Sequence, residues 1–197
     1  MKTLTKKSSL TEILREAREA QEKSFTPSQI EILEKIAGLT AGVLRAGGKI
    51  LLCGNGGSAA DSQHIAAEFI GRFKRERKSL AAVALTTDSS ILTALGNDYG
   101  YEQVFSRQVE GLGVRGDILF ALSTSGNSKN VLEAVKAARA KGITTVGFTG
   151  GHGGALKQAV DHCFLAGASE TPHIQEVHIT ALHALSEAVE DLVLSLP

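Results

Sequence analysis

Residues 117–128 read DILFALSTSGNS, and residues 129–141 continue KNVLEAVKAARAK. The first six form a short apolar run bounded by turn residues, which predicts a strand buried on both faces. The last thirteen carry apolar residues at helical spacing. Between them stand Ser123-Thr124-Ser125-Gly126-Asn127-Ser128. A buried strand that passes through one tight turn into a helix is the first half of a βαβ unit, because parallel neighbours need a crossover connection.

The same alternation repeats on either side. Lys49 to Cys53 (KILLC), Leu80 to Leu85 (LAAVAL), Thr144 to Phe148 (TTVGF) and His162 to Leu165 (HCFL) are further apolar runs. Helical patterns intervene at about 57–73, 88–96, 102–111, 128–141 and 154–160, and a last one spans about 171–194. The prediction is an α/β fold with a parallel sheet flanked by helices on both sides. Two helices precede the first strand: residues 10–22, and a second from Thr26-Pro27-Ser28 to about Arg45, opened by a capping residue and a proline at its first position. They belong to no βαβ unit, so they are expected to pack against another subunit or across the sheet's end.

Composition narrows the function. The chain has 197 residues, 43% of them hydrophobic, enough for one well-buried core and too few for two ordinary domains. One domain over 1–197 is expected, with a helical lead over about 1–46 and the α/β core over about 47–197. Basic and acidic residues balance at 21 each, so no long-range field draws the chain to nucleic acid or to an anionic membrane. The densest basic stretch, Arg72-Phe73-Lys74-Arg75-Glu76-Arg77-Lys78, reads as a solvated helix end, with a phosphate-facing role for Arg72 left open. The lysines near the N-terminus precede no apolar run, so no signal peptide is expected, and no segment has the apolar length of a membrane span. A cytoplasmic protein is the expectation. Cys53 and Cys163 each sit in a strand-like run and read as small buried hydrophobes, not as a disulfide or metal pair.

Two turns lie where open α/β sheets gather ligands, at the carboxyl ends of strands. After Lys49 to Cys53 comes Gly54-Asn55-Gly56-Gly57-Ser58. It lacks the spacing of a dinucleotide fingerprint and the lysine of a P-loop, and both a plain tight turn and a ligand-binding turn fit it. After Asp117 to Leu122 the turn carries the hydroxyls of Ser123, Thr124, Ser125 and Ser128 around a helix N-terminus. Free N–H groups and the positive end of the macrodipole favour an anion there, and hydroxyls add directed donors. Capping by Ser128 or Asn127 would need one such group, so phosphate binding is the better reading.

Asp61, His64 and Glu68 fall at i, i+3 and i+7 on one helix, with His64 and Glu68 about 40° apart around its axis. On the last helix Gln175 and His183 lie roughly 80° apart, with Ile179 between them. If the helices meet, two imidazoles, a carboxylate and an amide gather a borderline divalent ion such as zinc. By spacing alone, an H-x-x-x-E pair such as His64 and Glu68 is more often an ion pair on a helix surface, or satisfied core groups, than half of a metal site. His178 competes for a place on the last helix, while His152, His162 and His173 have no partner pattern.

CGNGGSAADSQHIAAE (53–68), LTALGNDYGYEQVFSRQV (92–109), LSTSGNS (122–128), VGFTG (146–150) and TPHIQEVH (171–178), with His183 beyond, occur in this order. Together they resemble the sugar isomerase (SIS) domain and, within that superfamily, are similar to the phosphoheptose isomerases, also called sedoheptulose 7-phosphate isomerases. The resemblance covers nearly the whole chain. It implies a five-stranded parallel sheet in a flavodoxin-like sandwich and a homotetramer with active sites between subunits, the leading helices helping to build the oligomer. It implies that Ser123, Thr124, Ser125 and Ser128 cradle phosphate, and that Asn55, Gly56, Gly57, Glu68, Asn97, Asp98 and Gln175 contact the substrate. His64, Glu68, Gln175 and His183 match that family's zinc ligands, one Zn2+ per subunit, and Glu68 and His183 its acid/base pair. The implied reaction interconverts D-sedoheptulose 7-phosphate and D-glycero-D-manno-heptose 7-phosphate through an enediol, the first step toward ADP- or GDP-heptose.

Two other functions use the same fold. A non-catalytic regulator that binds a replication initiator protein is free to lose the metal and acid/base residues, so His64, Glu68, Gln175 and His183 together speak against it. An isomerase of another sugar phosphate usually carries an added domain or a different residue set.

Overall fold

The computed structural model describes residues 9–195; the lysines of the first eight residues lie outside them. Helix α1 (Leu10–Ser24) opens on a reciprocal capping box, in which Ser9 Oγ accepts the Glu12 N–H and the Glu12 carboxylate accepts the Ser9 N–H. Helix α2 (Pro27–Arg45) begins on its proline. The chain then alternates: β1 (Ile50–Cys53), α3 (Gly57–Ile70), β2 (Ala82–Ala84), α4 (Ser89–Asp98), a 3-10 turn (Tyr101–Gln103), α5 (Ser106–Leu112), β3 (Ile118–Leu122), α6 (Lys129–Ala140), β4 (Thr144–Gly150), α7 (Leu156–Ala159), β5 (His162–Ala166) and α8 (Thr171–Leu194).

The strands form one wholly parallel sheet in the order β2-β1-β3-β4-β5, the flavodoxin-like order. Side chains alternate across it and divide the core in two. Ile50, Leu52, Ile118, Phe120, Phe148 and Phe164 pack beneath α2, α3 and α8, whereas Leu51, Cys53, Leu119 and Ala121 pack beneath α5 and α6. Each fully buried Ile, Leu or Phe among them stabilises the fold by roughly 1.5–3 kcal/mol over its exposed state. Burial on both faces holds for β1 and β3 but not for β2, an edge strand whose Val83 faces outward.

The leading helices cover their own sheet. Helix α2 lies along α8, and α1 rests on α8 and β5. The Gln29 side chain accepts the Leu165 N–H at 2.8 Å and Ser24 Oγ accepts the Gly167 N–H at 2.8 Å, so polar groups of the two helices satisfy the free edge of β5. Their outer face keeps Leu10, Ile13, Leu14 and Ile30 exposed.

Three sequence readings are corrected. Helix α3 stops at Ile70, so Arg72 to Lys78 is an irregular segment wrapped over α8 and not a helix end. The pattern at 102–111 breaks into the 3-10 turn and α5. The short α7 replaces the longer helix expected at 154–160. Cys53 is buried and Cys163 partly so, and both are free; burial pushes their thiols up to about 12 and about 11, which suits inert packing groups. No helix among the described residues is long and apolar enough to cross a membrane.

Candidate active site

Strands β1 and β3 leave the sheet side by side, with Cys53 paired to Ala121, and their helices turn to opposite faces. The crevice above them is the topological switch point, the usual ligand site of an open α/β sheet.

The loop after β3 is built before anything binds. Ser123 N–H bonds the Phe148 carbonyl, Gly126 N–H bonds Ser123, and Leu156 N–H bonds Gly126. Asn127 Oδ1 accepts the Ala155 N–H at 3.0 Å. Gly126 has φ +68°, and a Cβ there would overlap the Gly153 carbonyl, so the two glycine turns fit only as glycine. Ser128 does not cap α6; its hydroxyl lies 3.0 Å from that of Ser123. The start of α6 therefore has no side-chain cap, which favours an anion there. Thr124 and Ser125 sit at the turn, Ser125 exposed and Thr124 half-buried.

The turn after β1 is locked to that loop by two residues, only one of which the sequence had marked. Asn55 and Asn130 exchange amide hydrogen bonds at 2.9 and 2.8 Å, and the Tyr101 hydroxyl donates to Asn55 Oδ1 at 3.3 Å. Asn130 is buried on the inner side of the first turn of α6, and a polar residue at an apolar helix position was the available signal. Gly56 and Gly57 remain exposed at the start of α3. Gln175 lies over Gly57 so closely that a Cβ there would come within 2.6 Å of its amide. Asn97 Nδ2 donates to Asp98 Oδ1 at 2.8 Å at the exposed end of α4, just before the Tyr101 turn.

Gln175 over Gly57 and His183 beside His64 show that α3 and α8 run alongside one another in the same direction. Along this seam His64 Nε2 lies 2.8 Å from His183 Nε2 and 3.4 Å from Glu68 Oε1, and the ligand atoms of the three residues fall within 4.8 Å of one another. Three of the four candidate ligands thus meet, while Gln175 stands at the seam's N-terminal end. Two imidazole nitrogens and a carboxylate converging on one point fit the donor set of a borderline ion such as zinc. Asp61 lies between Gly57 and His64 on α3. Its Oδ2 is buried without a partner, and burial pushes its carboxyl up to about 6 against the opposing pull of His64.

His178 is no rival ligand. It is fully buried, edge-on to Phe148 at 6.1 Å, and burial pushes it down to about 4 although the Thr149 backbone acts the other way. His173, unpartnered by spacing, lies 3.0 Å from Glu176.

A parallel sheet of this order with an anion-ready serine loop at its switch point defines a SIS-domain protein, and the sequence matches the SIS domain over residues 12–150. It is 57% identical to the phosphoheptose isomerase of Roseiflexus sp. (strain RS-1) over 83% of each chain. With that of Aquifex aeolicus (strain VF5) the identity is 51%, over 92% of this chain and 94% of the other. The solved phosphoheptose isomerase of Neisseria gonorrhoeae superposes with a TM-score of 0.86 at 44% identity, covering 91% of this chain and 95% of that one. The chain belongs to the phosphoheptose isomerase family.

Proposed function

We propose that the protein is an aldose–ketose isomerase that interconverts D-sedoheptulose 7-phosphate and D-glycero-D-manno-heptose 7-phosphate. The observation that carries this reading is the convergence of His64 and Glu68 of α3, a helix that starts at the phosphate-ready crevice, with His183 of α8. From Gly57 to His64 is about 10 Å of helix rise, comparable with an extended seven-carbon chain.

Ser123, Thr124, Ser125 and Ser128 hold the 7-phosphate at the start of α6, and Asn55, Gly56, Gly57, Asn97, Asp98 and Gln175 line the path of the sugar. Isomerisation moves one proton between C1 and C2 through an enediol and another between the two oxygens. Glu68 carries the carbon-bound proton and His183 the oxygen-bound one. Oε1 of Glu68 faces His64, which leaves Oε2 for the proton. His64, Glu68, Gln175 and His183 would hold one Zn2+ per subunit, and it would supply Lewis-acid polarisation of the substrate carbonyl.

The finer reading extends to assembly and setting. The exposed Leu10, Ile13, Leu14 and Ile30 support association with further copies, here a homotetramer with active sites between subunits. The proposed setting is the cytoplasm, at the first step toward ADP- or GDP-heptose for lipopolysaccharide or a related glycoconjugate. The purified protein, given sedoheptulose 7-phosphate, arabinose 5-phosphate and fructose 6-phosphate in parallel, is expected to convert the heptose phosphate. Preference for either shorter sugar removes the substrate assignment. Metal analysis should find zinc, and activity that is indifferent to a chelator removes the metal.

A further inference from the structure

The irregular segment after α3 is anchored by one carboxylate. Glu190, fully buried near the end of α8, accepts the backbone N–H groups of Phe73, Lys74 and Arg75 at 3.0, 2.8 and 2.8 Å, and Arg77 Nε–H at 2.9 Å. Arg77, itself buried, donates onward to the carbonyls of Glu68 and Phe69 at 2.9 Å each and of Lys78 at 3.1 Å. A buried ion pair is tolerable only when its remaining donors and acceptors are satisfied, as here. This knot ties the last turn of α3, the segment and α8 into one unit.

The knot sets the place of Phe73. Its ring is stacked on His183, with centroids 5.6 Å apart and planes at 29°, while His64 meets the same imidazole nearly edge-on, at 5.0 Å and 75°. Imidazole χ2 is a broad, two-fold torsion, so a His at this position needs packing to hold one orientation. We infer that Phe73 is a positioning residue that fixes the ring plane of His183 toward His64, and that the Glu190–Arg77 knot is what keeps Phe73 there. The link to turnover rests on the isomerase reading; the link to the His183 ring does not.

The test compares Phe73→Leu, Phe73→Tyr and Glu190→Gln in the full-length protein. In metal-free, histidine-labelled protein, the nuclear Overhauser contact between the His64 and His183 rings should weaken and the His183 resonances broaden in Phe73→Leu and in Glu190→Gln, and both should stay near wild type in Phe73→Tyr. With sedoheptulose 7-phosphate, Phe73→Leu should lower kcat roughly tenfold with KM little changed, and Phe73→Tyr should restore it. Phe73 is only partly buried, so Phe73→Leu is expected to fold even if Glu190→Gln does not. Wild-type His183 signals and kcat in Phe73→Leu overturn the proposal. A weakened His64–His183 ring contact with unchanged kcat in an active enzyme overturns the link from Phe73 to turnover. If the wild type turns over no heptose phosphate while the His183 signals respond as described, the function assignment fails and the positioning role stands.

Discussion

The loop at 123–128 and the seam between α3 and α8 hold their functional groups by opposite means. In the loop, main chain bonds main chain: Ser123 to Phe148, Gly126 to Ser123, Leu156 to Gly126. Along the seam, no bond from main chain to main chain brings the reacting groups together; His64 meets His183 at 2.8 Å through side chains, with residues 119 apart in the chain. Backbone bracing fixes a cradle to within the stiffness of the sheet. Side-chain bracing leaves the spacing of imidazole and carboxylate to whatever packs behind them. The anchor is thus preformed, and the chemical end is set by packing.

Substitutions should separate the two. The largest effect is expected from Glu68→Gln, which keeps shape and removes the base. Steady-state kinetics should show kcat falling about 10³-fold with KM nearly constant, and an unaltered kcat removes Glu68 from the proton transfer.

Next comes the pH dependence of stability. His178 stands near 4 in the folded protein, below its ordinary value, so the unfolded chain takes up the proton first. Stability from this group is complete above about pH 6.5 and is lost as pH falls toward 4, by on the order of 3 kcal/mol. Asp61, raised to about 6, works oppositely over the same window. Urea melts of wild type and His178→Leu at several pH values isolate the histidine: the stability of wild type relative to the variant should fall as pH drops from about 6.5 toward 4, and a pH-independent difference contradicts the assignment.

Gly126→Ala should break the anchor by strain, costing about 2 kcal/mol through its positive φ and the overlap with Gly153. Thermal melts read the loss. Ser128→Ala should be the mildest, raising KM for the sugar phosphate roughly tenfold for about 1.5 kcal/mol with little loss of stability, because Ser128 caps nothing and gives up only its contact with Ser123. A drop in melting temperature there means that the hydroxyl is structural.

The same contrast explains what could be read from the sequence. The anchor is contiguous, and a strand, four hydroxyls and a helix start suffice to announce it. The strands were legible because β1 and β3 are apolar throughout. For the seam, spacing placed His64 with Glu68 and left Gln175 and His183 on another helix; only the family resemblance joined them, since no local pattern states which helices touch. Glu190 was invisible for a related reason. A carboxylate late in a charged helix reads as solvated, and its burial depends on a distant irregular segment folding over it. Asn130 and Phe73 escaped notice because each works on a neighbour remote in the chain.

The paired amides of Asn55 and Asn130 carry one more consequence. Neither group ionises, and salt screens free charges far more than a partly buried amide pair. The joint between the two turns is therefore the same in acid, in base and at high ionic strength. A change of rate with acidity must arise elsewhere than in this joint.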